Sequence, residues 1–143
     1  MLKNFQVIEV ISSKTKAQLT FYTNKIKFNH PTAVDLGFPK YVQLISSPSQ
    51  HAFGIMACEK DADNAVPFFN RPQDSKPYPV VMSYTAALEL ITNMMNWTDD
   101  SKYYVVPGQR FADEKAIVFN LDDAESFAIK TLKGGDENKS DAE

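Results

Sequence analysis

The chain has 143 residues, of which 43% are hydrophobic and sixteen are Phe or Tyr, and its formal net charge is −3. This length and composition are enough to bury a core, so global disorder is excluded. No apolar run approaches the roughly 18 residues of a membrane-spanning helix, and the first residues lack the pattern of a secretory signal. We therefore expect no membrane association. The single cysteine, Cys58, is compatible with a reducing cytoplasm, where we expect the protein to be.

Short strands are predicted at the beginning of the chain. Apolar residues within Phe5–Ile11 predict a first strand that closes at Ser12-Ser13-Lys14. Two further apolar segments, Leu19–Tyr22 and Ile26–Phe28, are separated by Thr23-Asn24. Their spacing predicts a β-hairpin.

A short helix over about residues 30–36 is predicted next. Asn29 is a favourable N-cap, because its side-chain oxygen can accept a hydrogen bond from an unpaired N–H of the first turn. Pro31 lies early in that turn, where its missing N–H costs little. Gly37 predicts the end of the helix, since glycine readily adopts the left-handed conformation found there. Two turns are too few for an independent helix, so packing must hold it.

A second hairpin is predicted from Tyr41–Ile45 and His51–Cys58. After it, residues 61–79 are rich in proline and charge, which predicts an extended connecting segment. Some apolar side chains of this segment should lie against the body of the protein, namely Val66, Phe68 and Phe69.

The second half of the chain contains the strongest helical pattern. Its apolar residues recur at intervals of three and four and predict one principal amphipathic helix over about residues 83–97. Strands are predicted at Tyr103–Val106 and Ala116–Leu121, with the polar segment 109–115 between them. The acidic residues that follow suggest the first turn of another short helix, formed by Asp122, Asp123, Ala124 and Glu125.

These elements together predict an α+β protein, made mainly of antiparallel β-hairpins around the principal helix. We expect a β/α unit at residues 1–60, the connecting segment 61–79 and a unit of helix plus β-hairpin at residues 80–132 that packs on the first. The tail, residues 133–143, is rich in Gly, Ser and acids without an apolar anchor, so we expect it to be disordered.

Few residues of the chain suggest chemistry. A zinc site usually needs several Cys and His at close spacing, and the chain has only Cys58, His30 and His51, so we expect no metal site. No phosphate loop and no dinucleotide-binding glycine pattern occurs, so we expect no cofactor. Arg110 and Phe111 form a pair in the polar segment 109–115 that suggests contact with a partner.

We also expect no enzymatic activity, because the chain offers no pairing of a nucleophile with a base. The alternative is an enzyme whose acids converge only in the folded state. That alternative requires a deep pocket in which at least two of four side chains come within hydrogen-bonding distance of each other. These four are Asp99, Asp113, Asp122 and His51.

The segment Lys25–Lys60 resembles the swapped-hairpin domains of AbrB-like transition-state regulators and related antitoxins. Those domains have a short strand, a small helix that ends in Leu-Gly and an apolar residue, and then a β-hairpin. The corresponding segments occur here in the same order: Ile26-Lys27-Phe28, Ala33–Phe38, Tyr41–Ile45 and Phe53–Met56.

The resemblance implies a homodimer of interlocked hairpins that binds DNA through basic residues of the strand and hairpin surface. The lysines that fit this role are Lys14, Lys16, Lys25 and Lys27. Charge agrees with it, because residues 1–40 contain six lysines and only two acids, whereas the remainder is acidic. The sequence therefore predicts a non-enzymatic, DNA-binding transcription regulator. The alternative is a protein-interaction module that does not bind DNA.

Overall fold

The computed structural model describes residues 16–71 and 77–129. Of these residues, 43% lie in strands and 22% in helices, and the strands form one antiparallel sheet that curls into a half-barrel. The fold is therefore mainly β, and the predicted α+β class is wrong. The physical reason is that strands from before and after the principal helix pair with each other in one continuous sheet.

The described residues form nine strands and two α-helices. The helices are α1 (His30–Leu36) and α2 (Thr85–Met95). The strands are β1 (Gln18–Tyr22), β2 (Lys25–Phe28), β3 (Tyr41–Ser47), β4 (Ala52–Cys58), β5 (Val66–Pro67), β6 (Val80–Met82), β7 (Lys102–Phe111), β8 (Ala116–Asn120) and β9 (Glu125–Ala128).

The sheet has the order β5-β3-β4-β8-β7-β1-β2-β6. Strand β7 pairs with β1 along one edge and with β8 and then β9 along the other. Strands from both predicted units, 1–60 and 80–132, thus lie side by side in one sheet. The predicted strand Phe5–Ile11 and the tail 133–143 fall outside the described residues.

The core lies on the inner face of the curled sheet. Phe28 is fully buried, and its ring centre is 5.7 Å from that of Phe68 and 5.8 Å from that of Phe119. Trp97, just after α2, stacks on Tyr104 with ring centres 4.0 Å apart. Aromatic side chains from the connecting segment, the sheet and the end of α2 therefore meet in one cluster.

Both helices lie close to the predicted positions. Asn29 caps α1, and Gly37 ends it at φ 80°, with its N–H donating to the carbonyl of Val34. Helix α2 begins at Thr85, slightly inside the predicted range 83–97, and it ends before Asn96. The predicted helix ends depend on local backbone requirements, which explains their agreement with the structure.

Asn29 also connects α1 to β1. Its side-chain oxygen accepts hydrogen bonds from the backbone N–H of Gln18 (2.9 Å) and the hydroxyl of Thr32 (2.7 Å). We expect Asn29→Ala to lower the free energy of unfolding by about 1–2 kcal/mol, because it removes the cap and leaves these donors unpaired. Asn29→Asp keeps an acceptor oxygen at this position, so it should lower the free energy of unfolding less than Asn29→Ala. Urea unfolding followed by circular dichroism measures the difference, and equal losses would contradict this role of the cap oxygen.

Strand β7 extends beyond its predicted end at Val106. It continues through Pro107 and Gly108 to Phe111, so the first three residues of the predicted polar connection 109–115 are strand. Pro107 is tolerated because it lies where the pairing with β1 ends and the pairing with β8 begins. A Cβ at position 108 would come within 2.7 Å of the Ile117 side chain and 2.8 Å of the Phe119 ring, so a larger residue there requires these buried side chains to shift.

The predicted short helix at Asp122–Glu125 is instead a single 3₁₀ turn at Leu121–Asp123, followed by β9. The Asn120 side chain accepts from the N–H of Asp122 and shapes this turn. Because the turn brings the chain back to the free edge of β7, the next residues extend that edge as a strand. Acidic residues alone therefore did not identify the conformation.

Candidate nucleic-acid interface

The outer face of β2, β1, β7 and β9 contains two of the four predicted basic residues, Lys25 and Lys27. Side chains alternate between the two faces of a strand. Leu19, Phe21 and Ile26 are buried on the inner face, so Tyr22 and Lys25 project outward. We call this side of the four strands the outer face.

Three aromatic side chains from different strands form a row across the outer face. The ring centres of Tyr22 and Tyr103 are 5.3 Å apart with an interplanar angle of 25°. Those of Tyr103 and Phe127 are 5.4 Å apart with an angle of 22°. We call Tyr22, Tyr103 and Phe127 the aromatic row. Phe127 lies on β9 at the end of the row and is exposed.

Two of the predicted lysines lie at the opposite end of the aromatic row. The ammonium of Lys25 is 4.7 Å from the ring centre of Tyr22, and that of Lys27 is 5.9 Å from the same centre. Such cation–π contacts favour particular positions of long, flexible side chains. The ring of Tyr22 thus holds two positive charges near each other on an accessible surface.

A second row of side chains lies beside the first. The strand register aligns Val81, Lys27, Thr20, Val105 and Glu125 across the same face. Glu125 is exposed and brings one negative charge to the β9 end of this row. The outer face is therefore polarised, with its positive charge at β2 and its negative charge at β9.

The structure brings together two of the four predicted DNA-binding lysines. Lys25 and Lys27 are neighbours on β2, whereas Lys16 lies exposed before the other end of β1. Lys14 lies outside the described residues. Tyr22 is the strand partner of Lys25, and it follows Lys16 by six residues. Six residues of extended chain span roughly 20 Å, so Lys16 lies apart from Lys25.

Sequence reasoning missed Tyr103 and Phe127. Their position beside Tyr22 depends on the pairing of β7 with β1 and β9, which connects residues far apart in the chain. The sequence feature that could have indicated an outward-facing tyrosine is the adjacent pair Tyr103-Tyr104 in a predicted strand. One of two such neighbours must face away from the core.

Two residues of the possible catalytic set are in contact. Nδ1 of His51 lies 2.8 Å from a carboxylate oxygen of Asp122, and both side chains are exposed. They line neither the groove at the C-terminal end of α1 nor the smaller cavity beside β6. Asp99 instead accepts hydrogen bonds from the hydroxyl and N–H of Ser101, and these lower the pKa of its carboxyl.

Two further observations concern the described residues alone. Among residues 16–71 and 77–129, no three His, Cys, Asp or Glu side chains are grouped so as to hold a metal ion. Within the same ranges, neither helix has the length and apolar character needed to cross a bilayer.

Cys58 lies at the end of β4, away from the aromatic row. Burial raises the pKa of its thiol, and the neighbouring Glu59 carboxylate raises it further, because both disfavour the thiolate. We expect Glu59→Gln to lower this pKa and to accelerate alkylation by iodoacetamide at pH 8. The rate should respond because the thiolate is the reacting form. Asp35→Asn is the control, and an equal rate change in both variants would contradict the effect of Glu59.

Comparison with known proteins gives no relative: no family model, no curated protein and no solved structure matches the chain. The fold and the site define a mainly β protein with a basic and aromatic outer face.

Proposed function

We propose that the protein is a non-enzymatic DNA-binding regulator that contacts phosphates through the outer face. The observation that carries the proposal is the placement of Lys25 and Lys27 around Tyr22, the half-buried first ring of the aromatic row. Lysine ammonium groups neutralise phosphates, and neutralisation releases counterions from DNA. The more specific proposal is an AbrB-like regulator, as the resemblance of residues 25–60 implies. We place it in the cytoplasm, with which the single Cys58 is compatible.

The aromatic row adds a second kind of contact. Tyr22 and Tyr103 have neighbours against their ring faces, but Phe127 ends the row on β9, which pairs only with β7 among the described strands. An unpaired base can stack on such a ring, and stacking on an aromatic side chain is worth about 1–3 kcal/mol per base. The outer face should therefore bind single-stranded DNA more tightly than a duplex of equal length.

The experiment is an anisotropy titration of labelled single-stranded and duplex DNA at about 50 and 200 mM salt. Lys25→Ala/Lys27→Ala should weaken binding and reduce the slope of log K against log salt by about 1.4–1.8, since each lost phosphate contact contributes roughly 0.7–0.9. Lys40→Ala/Lys60→Ala is the matched control, because it removes the same charge elsewhere. DNA binding that both double variants weaken equally, or no binding at low salt, would refute the proposed interface.

A substitution of Glu125 should increase DNA affinity, whereas the lysine substitutions should decrease it. Its carboxylate shares the outer face with Lys27 and repels phosphate. We expect Glu125→Gln to increase DNA affinity about two- to fivefold at low salt, since removing one nearby like charge at an exposed site is worth roughly 0.5–1 kcal/mol. Glu89→Gln, on the exposed side of α2, is the control and should leave the affinity unchanged. Equal affinities of Glu125→Gln and the unaltered protein would place the DNA elsewhere.

A homodimer formed through the N-terminal half is part of the proposal. The outer face supplies only Lys25 and Lys27 as a close pair, so a second copy is needed for a larger set of phosphate contacts. Sedimentation equilibrium should give twice the mass of one chain at micromolar concentration. A monomer at every concentration would remove the interlocked dimer from the proposal.

One observation supports the alternative, a protein-interaction module. Tyr78, Val81 and Tyr84 are exposed around β6, which is the last strand of the sheet path. An exposed apolar edge can receive an extended segment of another protein as an added strand. Capture of a partner from cell extract by the unaltered protein but not by Val81→Lys, together with absent DNA binding, would favour this alternative.

A further inference from the structure

An open groove lies at the other end of β7 from Tyr103. The C-terminal end of α1, the ends of β3 and β4, and the turn between β7 and β8 form its walls. Its volume of about 780 Å³ is within the usual range for small-molecule sites, roughly 300–1,000 Å³. About seven strand residues, or roughly 23 Å, separate its Arg110 from Tyr103, so the groove is distinct from the outer face.

The groove concentrates positive charge in an acidic protein. Its charged lining consists of Lys40, Lys60, Arg110 and Lys115 with Asp35 and Glu59, so its formal charge is +2 whereas the chain carries −3. Within the described parts of the chain, none of these six side chains forms an ion pair or a hydrogen bond. The four cations are therefore available to an anion from solution.

Apolar groups lie beside these charges. Val34 is 47% exposed and Phe111 is 39% exposed, and both line the groove with Tyr41. Val34 is on the side of α1 that does not pack on the core. Exposed apolar residues next to unpaired cations suit a ligand that has both an anionic and a planar apolar part.

We propose that the groove binds a small organic anion of the nucleoside-phosphate type. Arg110 forms paired hydrogen bonds with phosphate oxygens, which its planar guanidinium geometry favours. Lys40, Lys60 and Lys115 neutralise the remaining charge, and the planar base lies against Phe111 and Val34. This site goes beyond the proposed DNA contact and gives the protein a place where a soluble metabolite is bound.

Calorimetric titration with ATP, pyrophosphate and adenosine tests the proposal. ATP should bind, pyrophosphate should bind more weakly because it lacks the base, and adenosine should not bind measurably. Arg110→Gln should weaken ATP binding about tenfold or more, since a charge-assisted hydrogen bond of this kind is lost. Phe111→Ser should weaken ATP binding and leave pyrophosphate unchanged. Thermal unfolding of each variant shows that its fold is retained.

Cys58 provides an independent measurement, because it lines the groove and is the only cysteine of the chain. Bound ATP should slow alkylation of the Cys58 thiol, and Arg110→Gln should abolish this protection at the same ATP concentration. Lys25→Ala/Lys27→Ala should keep both ATP binding and protection.

Three results would overturn the proposal. They are the absence of ATP binding, equal affinities for ATP and pyrophosphate, and loss of ATP binding in Lys25→Ala/Lys27→Ala with retention in Arg110→Gln. The last result would show that nucleotides bind the outer face and would support the DNA proposal. The two proposals can therefore fail separately.

Discussion

Phe28→Ala is expected to lower the free energy of unfolding by about 3–5 kcal/mol, the range for truncating a fully buried aromatic side chain. The Phe28 side chain is 0% exposed, and its ring contacts Phe68 of the connecting segment and Phe119 of β8. Its removal leaves a cavity where three separate parts of the chain meet. Because these parts are fixed by other strand pairings, they cannot close the cavity fully. Urea unfolding monitored by tryptophan fluorescence measures the loss.

Phe127→Ala is the matched control for Phe28→Ala. Phe127 has the same side chain in a strand, but it is exposed at the end of the aromatic row. Phe127→Ala should lower the free energy of unfolding by no more than about 1 kcal/mol, the value of a cross-strand aromatic pair. Similar losses in the two variants would contradict the location of the core on the inner face.

Gly54→Ala is expected to lower the free energy of unfolding by about 1–3 kcal/mol, the usual range for overpacking. A Cβ at position 54 would lie 2.7 Å from the backbone carbonyl oxygen of Ile117 and 3.2 Å from the side chain of Ile45. The carbonyl belongs to the adjacent strand β8, so relief requires the β4–β8 pair to shift. Chemical denaturation at constant pH gives the difference from the unaltered protein.

Substitutions of Gly37 allow backbone strain to be measured without the steric clash expected at Gly54. A Cβ at position 37 would meet no heavy atom within 4 Å, but the residue has φ 80°. Gly37→Ala should therefore lose about 1–2 kcal/mol from its left-handed conformation alone. Gly37→Asn should recover part of this loss, since Asn tolerates that conformation better, whereas Gly54→Asn should be worse than Gly54→Ala. The reverse order would contradict the assignment of the two glycines.

Elements determined by neighbouring residues could be predicted from the sequence. The limits of α1 follow from Asn29 and Gly37, whose cap interactions involve groups within a few residues. The hairpin of β1 and β2 follows from two apolar segments on either side of a short turn. These features require no knowledge of the remaining chain.

The sheet as a whole could not be predicted in this way. Pro107 and Gly108 are typical of a turn, but the three-dimensional partners of β7 make them part of a strand. The fold class was wrong for the same reason, because the pairing of β7 with β1 is a tertiary property. Of the candidate site, Lys25 and Lys27 lie close together along the chain and could be proposed from the sequence, whereas the aromatic row depended on this distant pairing.

The pairing of β1 with β7 also has a consequence during synthesis of the chain. Phe21 and Tyr104 are partners across this pair although 83 residues separate them. At roughly 5–20 residues per second, the ribosome needs about 4 to 17 s to add that length. Throughout this interval the edge of β1 that pairs with β7 in the folded structure lacks that partner. A nascent chain on a neighbouring ribosome carries the same open edge, so early encounters between two copies compete with correct completion of the sheet.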